Sequence, residues 1–198
     1  MNNKVPKIFV IAGPNGAGKT TSAKSLLPEI LHCEEYVNAD AVAIGLSPFH
    51  PDKVAQQAGR LMLERIKYLA DHNVDFAFET TLASRTFINI LCKYKKQGYE
   101  INILFLWLQT VETAIQRVKI RVEQGGHDIP SDVIMRRYSR SISNFVNEYT
   151  KIADNWFFYD NTNNNSKLIA NKINSKVNII NKIIWQNIIR GAQNEINN

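Results

Sequence analysis

Gly13-Pro14-Asn15-Gly16-Ala17-Gly18-Lys19-Thr20 is the stretch that decides the fold. Its spacing fits G-x-x-x-x-G-K-[ST], the phosphate-binding P-loop. The flanks fit as well. Lys7 to Ala12 is a short apolar run of strand character, and Thr21 to Leu27 can form a helix. Glycines let backbone N–H groups converge on phosphate oxygens. The start of the following helix adds its partial positive charge. Residues Gly13 to Thr21 are therefore the expected nucleotide contacts. Lys19 would reach the β- and γ-phosphates, and the Thr20 hydroxyl would ligate Mg²⁺. The competing reading is a chance glycine turn before a helix, and it leaves the ordered strand, spacing and helix start unexplained. A bound nucleoside triphosphate is the expectation.

Outward from the loop, strand and helix patterns alternate. Glu35 to Asn38 is a short strand candidate ending near Asp40. Pro51 to Asp71 is helical, with Ala58, Leu61, Met62, Arg65, Ile66 and Leu69 at helical spacing. Phe76-Ala77-Phe78 reads as a third strand ending at Glu79-Thr80-Thr81. Ser84 can cap a helix that runs to about Gln97, with Gly98 as its stop. Tyr99 to Leu108 is the longest apolar run, and its continuity suggests a central parallel strand covered on both faces. Helices follow at Val111 to Glu123 and Ser131 to Tyr149, separated by Gly125-Gly126, and a last strand at Trp156 to Tyr159. The alternation predicts an α/β fold. It is a three-layer α/β/α P-loop NTPase arrangement of the small-kinase type, with a parallel five-stranded sheet. Ile169, Ile173, Val177, Ile180, Ile184 and Ile188 recur at three- and four-residue steps. They predict a closing amphipathic helix over about 166–190, packed on the domain or offered to a partner. Residues 191–198 are expected to fray.

Composition agrees with one domain spanning 1–198. The 198 residues are 44% hydrophobic and carry a net charge of +6. That length supports a real core, and the charge suits anionic partners without distinguishing nucleotides from nucleic acids. No apolar run reaches the ~20 residues of a membrane span, and the first six residues have no signal-peptide layout. Cys33 and Cys92 lack metal-ligand spacing and read as reduced thiols of a cytoplasmic protein.

Ligands of open α/β sheets gather at the C-terminal ends of strands. That rule selects the P-loop, Asp40 and Glu79. The apolar strand Ile103 to Leu108 ends in Gln109 rather than a Walker B aspartate. Asn171-Lys172-Ile173-Asn174 and Asn181-Lys182-Ile183-Ile184 lack the aspartate of a guanine-reading motif. A GTPase switch is therefore not expected, and a small phosphotransferase is. Such an enzyme needs a carboxylate for the acceptor hydroxyl's proton and cations around the transferred group. Asp40 is the candidate base, against a bland role as a turn or cap residue. Glu79 would bind substrate hydroxyls or hold a water on Mg²⁺, against a strand-end salt bridge. Thr80 and Arg85 are further candidate substrate contacts. Arg117 and Arg121 share one helix face, and Arg136 and Arg140 another, with Arg137 beside them. Two arginine-bearing helices over about 111–148, joined by a glycine hinge, suggest a lid, against a merely solvated basic surface. Arg121 and Arg136 or Arg137 are nearest the hinge, and Arg121 and Arg136 are taken as the catalytic pair. His127 reads as a hinge or packing residue.

These residues resemble the zeta toxin family of P-loop kinases, in particular its shorter bacterial members. The resemblance is carried by Ile11 to Thr21, Val37-Asn38-Ala39-Asp40, Phe78-Glu79-Thr80-Thr81-Leu82, Arg117 to Arg121, Gly125 to Pro130, Arg136-Arg137-Tyr138 and Tyr159-Asp160-Asn161. It implies an ATP-dependent kinase with Mg²⁺. Lys19 and Thr20 would bind the nucleotide, Asp40 would be the general base, Glu79 would contact the acceptor, and arginines would steady the transferring phosphoryl group. The family's toxins phosphorylate a sugar hydroxyl of UDP-N-acetylglucosamine and are held inactive by an antitoxin. The full-length toxins are longer, with additional C-terminal elements, and the acceptor stays open. Two other readings stand beside a metabolite kinase. One is a nucleic-acid end kinase, for which no aromatic-basic binding module is seen. The other is a nucleotide-binding component of a toxin–antitoxin pair without metabolite kinase activity.

Overall fold

The computed structural model describes residues 5–29, 31–126, 128–163 and 165–195. The expectations for His127, for the first four residues and for the fraying of 196–198 fall outside them.

The fold grows from β1 (Lys7–Ala12), whose Ile-Phe-Val-Ile-Ala run is buried on both faces. The remaining strands are β2 (Glu35–Val37), β3 (Phe76–Thr80), β4 (Glu100–Trp107), β5 (Asn155–Asp160), β6 (Lys167–Ile173) and β7 (Lys176–Ile179). They form one sheet in the order β2-β3-β1-β4-β5-β6-β7. The first five are parallel neighbours, as expected, and β4 lies at the centre. The sheet has seven strands rather than five, because β6 and β7 add an antiparallel hairpin to the edge of β5.

That hairpin replaces the first part of the expected closing helix. Asn174 and Ser175 take φ values of 49° and 66°, the paired left-handed geometry of a two-residue hairpin turn. Asparagine tolerates it better than most residues. Isoleucine and valine suit strands, and β5 would otherwise present an unpaired edge. The helix of this region is shorter and later, at Lys182–Asn194. Asn181 caps it by accepting from Ile184 N at 3.1 Å. Residues 191–194 belong to this helix and do not fray: Ala192 is buried, and its carbonyl accepts from Ser143 Oγ at 3.1 Å.

The helices are α1 (Lys19–Glu29), α2 (Ala39–Leu46), α3 (Ala55–Asp71), α4 (Thr86–Lys96), α5 (Val111–Glu123), α6 (Ser131–Asn144) and α7 (Lys182–Asn194). α6 continues through a π-helical turn (Phe145–Tyr149), so the expected helix to Tyr149 is present. One sheet face carries the main core, where Phe105, Phe145, Phe158, Trp156 and Trp185 join residues of α3 and α4. Trp185 of α7 stacks on Trp156 at 5.5 Å and meets Phe158 edge-on at 5.3 Å. The other face carries α1, with Ala23 and Leu27 against Phe9, Ile11 and Ala77. α5 and α6 meet over Leu106 and Leu108 at the C-terminal end of β4. No described helix is long and apolar enough to cross a membrane.

Candidate active site

The site is assembled where β1, β2 and β3 end. Gly13, Gly16 and Gly18 have φ values of 139°, 75° and 84°, a region side chains avoid. A Cβ on Gly13 would meet Leu106 O at 2.1 Å. One on Gly16 would meet Ala114 O at 2.7 Å, and one on Gly18 would meet Asn161 Nδ2 at 2.8 Å. The loop is thus pressed against β4, α5 and the segment after β5, and only glycines build it. Asn161 donates to Ala17 O at 2.7 Å. Arg117 of α5 donates to Gly16 O, Asn161 O and Thr162 O at 3.4, 3.0 and 2.8 Å, clamping the loop and the segment after β5 to its helix.

Sheet register decides which side chains face the loop. Ile11 pairs with Glu79, and Tyr36 with Ala77. Alternate residues therefore bring Glu79, Tyr36 and Asn38 to the face of α1, whose first turn holds Lys19 and Thr20. Thr20 Oγ1 donates to Glu79 Oε2 at 2.8 Å. Tyr36 OH donates to the same oxygen at 2.6 Å, and Asn38 Nδ2 at 3.0 Å. Lys19 Nζ lies 3.9 Å from Glu79 Oε1 and donates to Pro14 O at 2.9 Å. Glu79 is thus the carboxylate nearest the proposed Mg²⁺ ligand Thr20. The end of β4 carries Gln109 rather than a Walker B aspartate, and β3 is the strand that places an acid beside Thr20.

Lys19 is only 7% exposed. Burial pushes its pKa below 10.5, the charges of Glu79 and then Asp40 oppose that shift, and the charges of Arg121 and Arg137 reinforce it. Both carboxylates and two arginines therefore act on the P-loop lysine. Desolvation, together with the hydrogen bond to Glu79, pushes the Tyr36 hydroxyl pKa well up, so it remains a donor.

A cleft of about 910 Å³ opens from Lys19 and Asn15 past Asp40, Glu79, Thr80 and Arg137. Asp40 stands in the first turn of α2, whose cap Asn38 accepts from Asp40 N and Ala41 N at 2.8 and 3.2 Å. Asp40 itself is exposed to the cleft. Asn15 Oδ1 is buried without a hydrogen-bond partner among the described residues. Thr80 accepts from Leu82 N at 3.1 Å, shaping a turn in which Leu82, fully buried, takes a φ of 57°.

Not every expected residue joins this group. Arg85 pairs with Glu148 at 3.3 Å and does not line the cleft. It precedes α4 and reaches the π-helical turn after α6. Arg136 lines the cleft but is exposed, whereas the half-buried Arg137 acts on Lys19. A stretch with arginines at 136, 137 and 140 does not reveal which one the helix turns inward. Gly125 and Gly126 close α5, donating to Val122 O and Arg121 O at 2.9 Å each. A Cβ on Gly126 would meet Arg121 Cγ at 2.6 Å, so this pair caps the helix against Arg121. Of the strand expected over Glu35 to Asn38, Tyr36 lies in β2 and Asn38 caps α2 instead, and their grip on Glu79 has no sequence signal.

Three comparisons bear on identity. An uncharacterised protein of Haemophilus influenzae is 26% identical over 132 residues, which are 67% of this chain and 92% of that one. The crystal structure of AvrRxo1-ORF1:-ORF2 with ATP is similar in fold, with a TM-score of 0.78 at 15% identity. It is matched by 94% of this chain, which spans 64% of that one. The PezAT chromosomal toxin–antitoxin system of Streptococcus pneumoniae has a TM-score of 0.62 at 12% identity, over 99% of this chain and 87% of that one. The zeta toxin family model matches residues 1–174, and the chain therefore belongs to the zeta toxin family.

Proposed function

We propose that the protein is an ATP-dependent kinase that phosphorylates a hydroxyl of a small metabolite. The observation that carries this reading is the Thr20–Glu79 hydrogen bond beside the buried Lys19, at the closed end of a cleft that also takes in Asp40. The glycine cradle fits polyphosphate, and Thr20 and Glu79 fit a hard cation that prefers oxygen ligands. Mg²⁺, when bound, neutralises charge on the phosphates. Lys19 leaves Pro14 O to hold the β- and γ-phosphoryl oxygens. Arg121 and Arg137 balance charge on the transferring group, with Arg136 at the outer wall. Asp40 takes the acceptor hydroxyl's proton as its oxygen bonds to the γ-phosphorus and the bond to ADP breaks. Thr80 and the outer arginines would orient the acceptor, with Arg85 outside this role. A sugar nucleotide such as UDP-N-acetylglucosamine is the acceptor the family suggests, and an antitoxin the partner. Two cysteines, buried Cys33 and half-buried Cys92, suit a reducing cytoplasm.

The test is incubation with ATP, Mg²⁺ and candidate acceptors, UDP-N-acetylglucosamine first, followed by mass analysis. A product heavier by one phosphate is expected. Asp40→Asn should keep ATP binding and lose transfer by roughly 10²–10⁴-fold. No phosphorylated product from that sugar nucleotide or from a metabolite extract, or unchanged turnover in Asp40→Asn, overturns the corresponding claim.

A further inference from the structure

Glu79 has two competing partners. One is the Thr20 hydroxyl, which needs a carboxylate to take its proton so that its lone pairs turn toward a cation. The other is Lys19, which must remain available to phosphate. In the structure the competition is decided by β2. Tyr36 OH and Asn38 Nδ2 both donate to Glu79 Oε2, the oxygen that also accepts from Thr20. Asn38 also donates to Tyr36 OH at 3.2 Å, so the two donors brace each other. Glu79 Oε1 is left 3.9 Å from Lys19 Nζ, beyond the ≈ 2.7–2.9 Å of a strong charge-assisted hydrogen bond. Asn38 is buried, and its other amide atom caps α2, the helix that begins at Asp40. One side chain thus ties the carboxylate beside Thr20 to the helix bearing the candidate base.

We propose that Tyr36 and Asn38 are positioning residues that lock Glu79 onto Thr20 and away from Lys19. They would make nucleotide binding depend on Mg²⁺ and set Asp40's helix at a fixed distance from the metal side. The proposal rests on the kinase reading for its ligand and extends it to two residues that grip Glu79, Asn38 at the wall of the cleft and Tyr36 behind it. If Tyr36 is removed, Glu79 is free to swing to Lys19. Thr20 then loses the partner that orients its hydroxyl toward the cation. Partners that orient a metal ligand are typically worth 10–100-fold in metal affinity.

The experiment measures ATP binding by calorimetry at a series of Mg²⁺ concentrations, and in EDTA. It compares wild type, Tyr36→Phe, Asn38→Ser and Glu79→Gln, with thermal unfolding of each nucleotide-free protein as a folding control. Serine keeps an oxygen to cap α2 but cannot donate an amide hydrogen to Glu79. Tyr36→Phe and Asn38→Ser are expected to raise the Mg²⁺ concentration for half-saturation about 10-fold, and to change ATP affinity in EDTA less than twofold. Should Tyr36→Phe unfold, Asn38→Ser alone decides. A Mg²⁺ dependence equal to wild type overturns the proposal, as does an equal loss of affinity with and without Mg²⁺. Wild type that binds ATP without any dependence on Mg²⁺ overturns it as well. Normal Mg²⁺-dependent binding without transfer to any acceptor would instead defeat the kinase reading and leave the clamp standing.

Discussion

Replacing Lys19 by methionine should make the nucleotide-free protein more stable while removing its response to ATP. Lys19 is buried, and among the described residues its ammonium donates to Pro14 O at 2.9 Å, with Glu79 at 3.9 Å. That is thin compensation for a desolvated charge, whose effective burial penalty is several kcal/mol. Methionine fills much the same volume without the charge. Little is orphaned by the change: Pro14 O still accepts from Ala17 N at 3.2 Å, and Glu79 keeps three donors. Replacing both partners of a buried ion pair by apolar groups is often neutral or stabilising by 1–4 kcal/mol, whereas removing one partner of a hydrogen-bonded pair destabilises; Lys19 and Glu79, at 3.9 Å, are not hydrogen-bonded to each other. Glu79 loses its nearby cation, which argues for the lower half of that range, about 1–2 kcal/mol. At ~2–4 °C per kcal/mol for a chain of this size, the melting temperature should rise by about 2–8 °C.

The effect has a pH signature. Lys19 titrates below its unfolded value of 10.5, so in the window between the two pKa values the unfolded chain binds more protons than the folded one. Stability of the wild type therefore gains from this group as pH rises through the folded pKa, and its penalty is complete below it. The advantage of Lys19→Met should be greatest below the folded pKa and shrink as pH approaches 10.5. Thermal unfolding of both proteins at several pH values, with and without MgATP, is the assay. At 100 times Kd, ATP should stabilise the wild type by ≈ 2.7 kcal/mol and the variant far less. A lower melting temperature for Lys19→Met, or an undiminished ATP shift, would refute the reasoning.

Two further outcomes are expected. Trp185→Ala removes a buried ring that stacks on Trp156 and meets Phe158 edge-on and should destabilise by about 3–5 kcal/mol, read by denaturant unfolding; a loss under 1 kcal/mol would mean that α7 is not docked in solution. Arg137→Ala should lower phosphoryl transfer at least tenfold more than Arg136→Ala, because Arg137 is the arginine whose charge reaches Lys19; equal losses in steady-state kinetics would return Arg136 to the inner site.

Local residues made the donor half of the site legible. The P-loop spacing needs only eight consecutive residues and their flanks, so the chain's own order specifies it. Asp40 and Glu79 were found by a strand-end rule, which works because parallel strands all deliver their C-terminal ends to one edge. The hairpin from 167 to 179 was misread because isoleucines at three- and four-residue steps fit a helix locally. The open edge of β5, a long-range feature, favoured strands instead. The inward turn of Arg137, the outward turn of Arg85 and the capping role of Gly125-Gly126 were hidden for a related reason, since composition does not say which way a helix is rotated.

By itself, then, the sequence determined that a P-loop joins a strand to a helix in an alternating α/β chain, with two acids at strand ends and arginines beyond. Tertiary structure alone decided that β3 lies beside β1, so that Glu79 rather than a β4 residue meets Thr20, and that Tyr36 of β2 and Asn38 just beyond it hold it there. The reason is register. Side chains 41 and 43 residues from Glu79 come within hydrogen-bonding distance only after parallel pairing sets which face each alternate residue presents, and no local pattern encodes that choice.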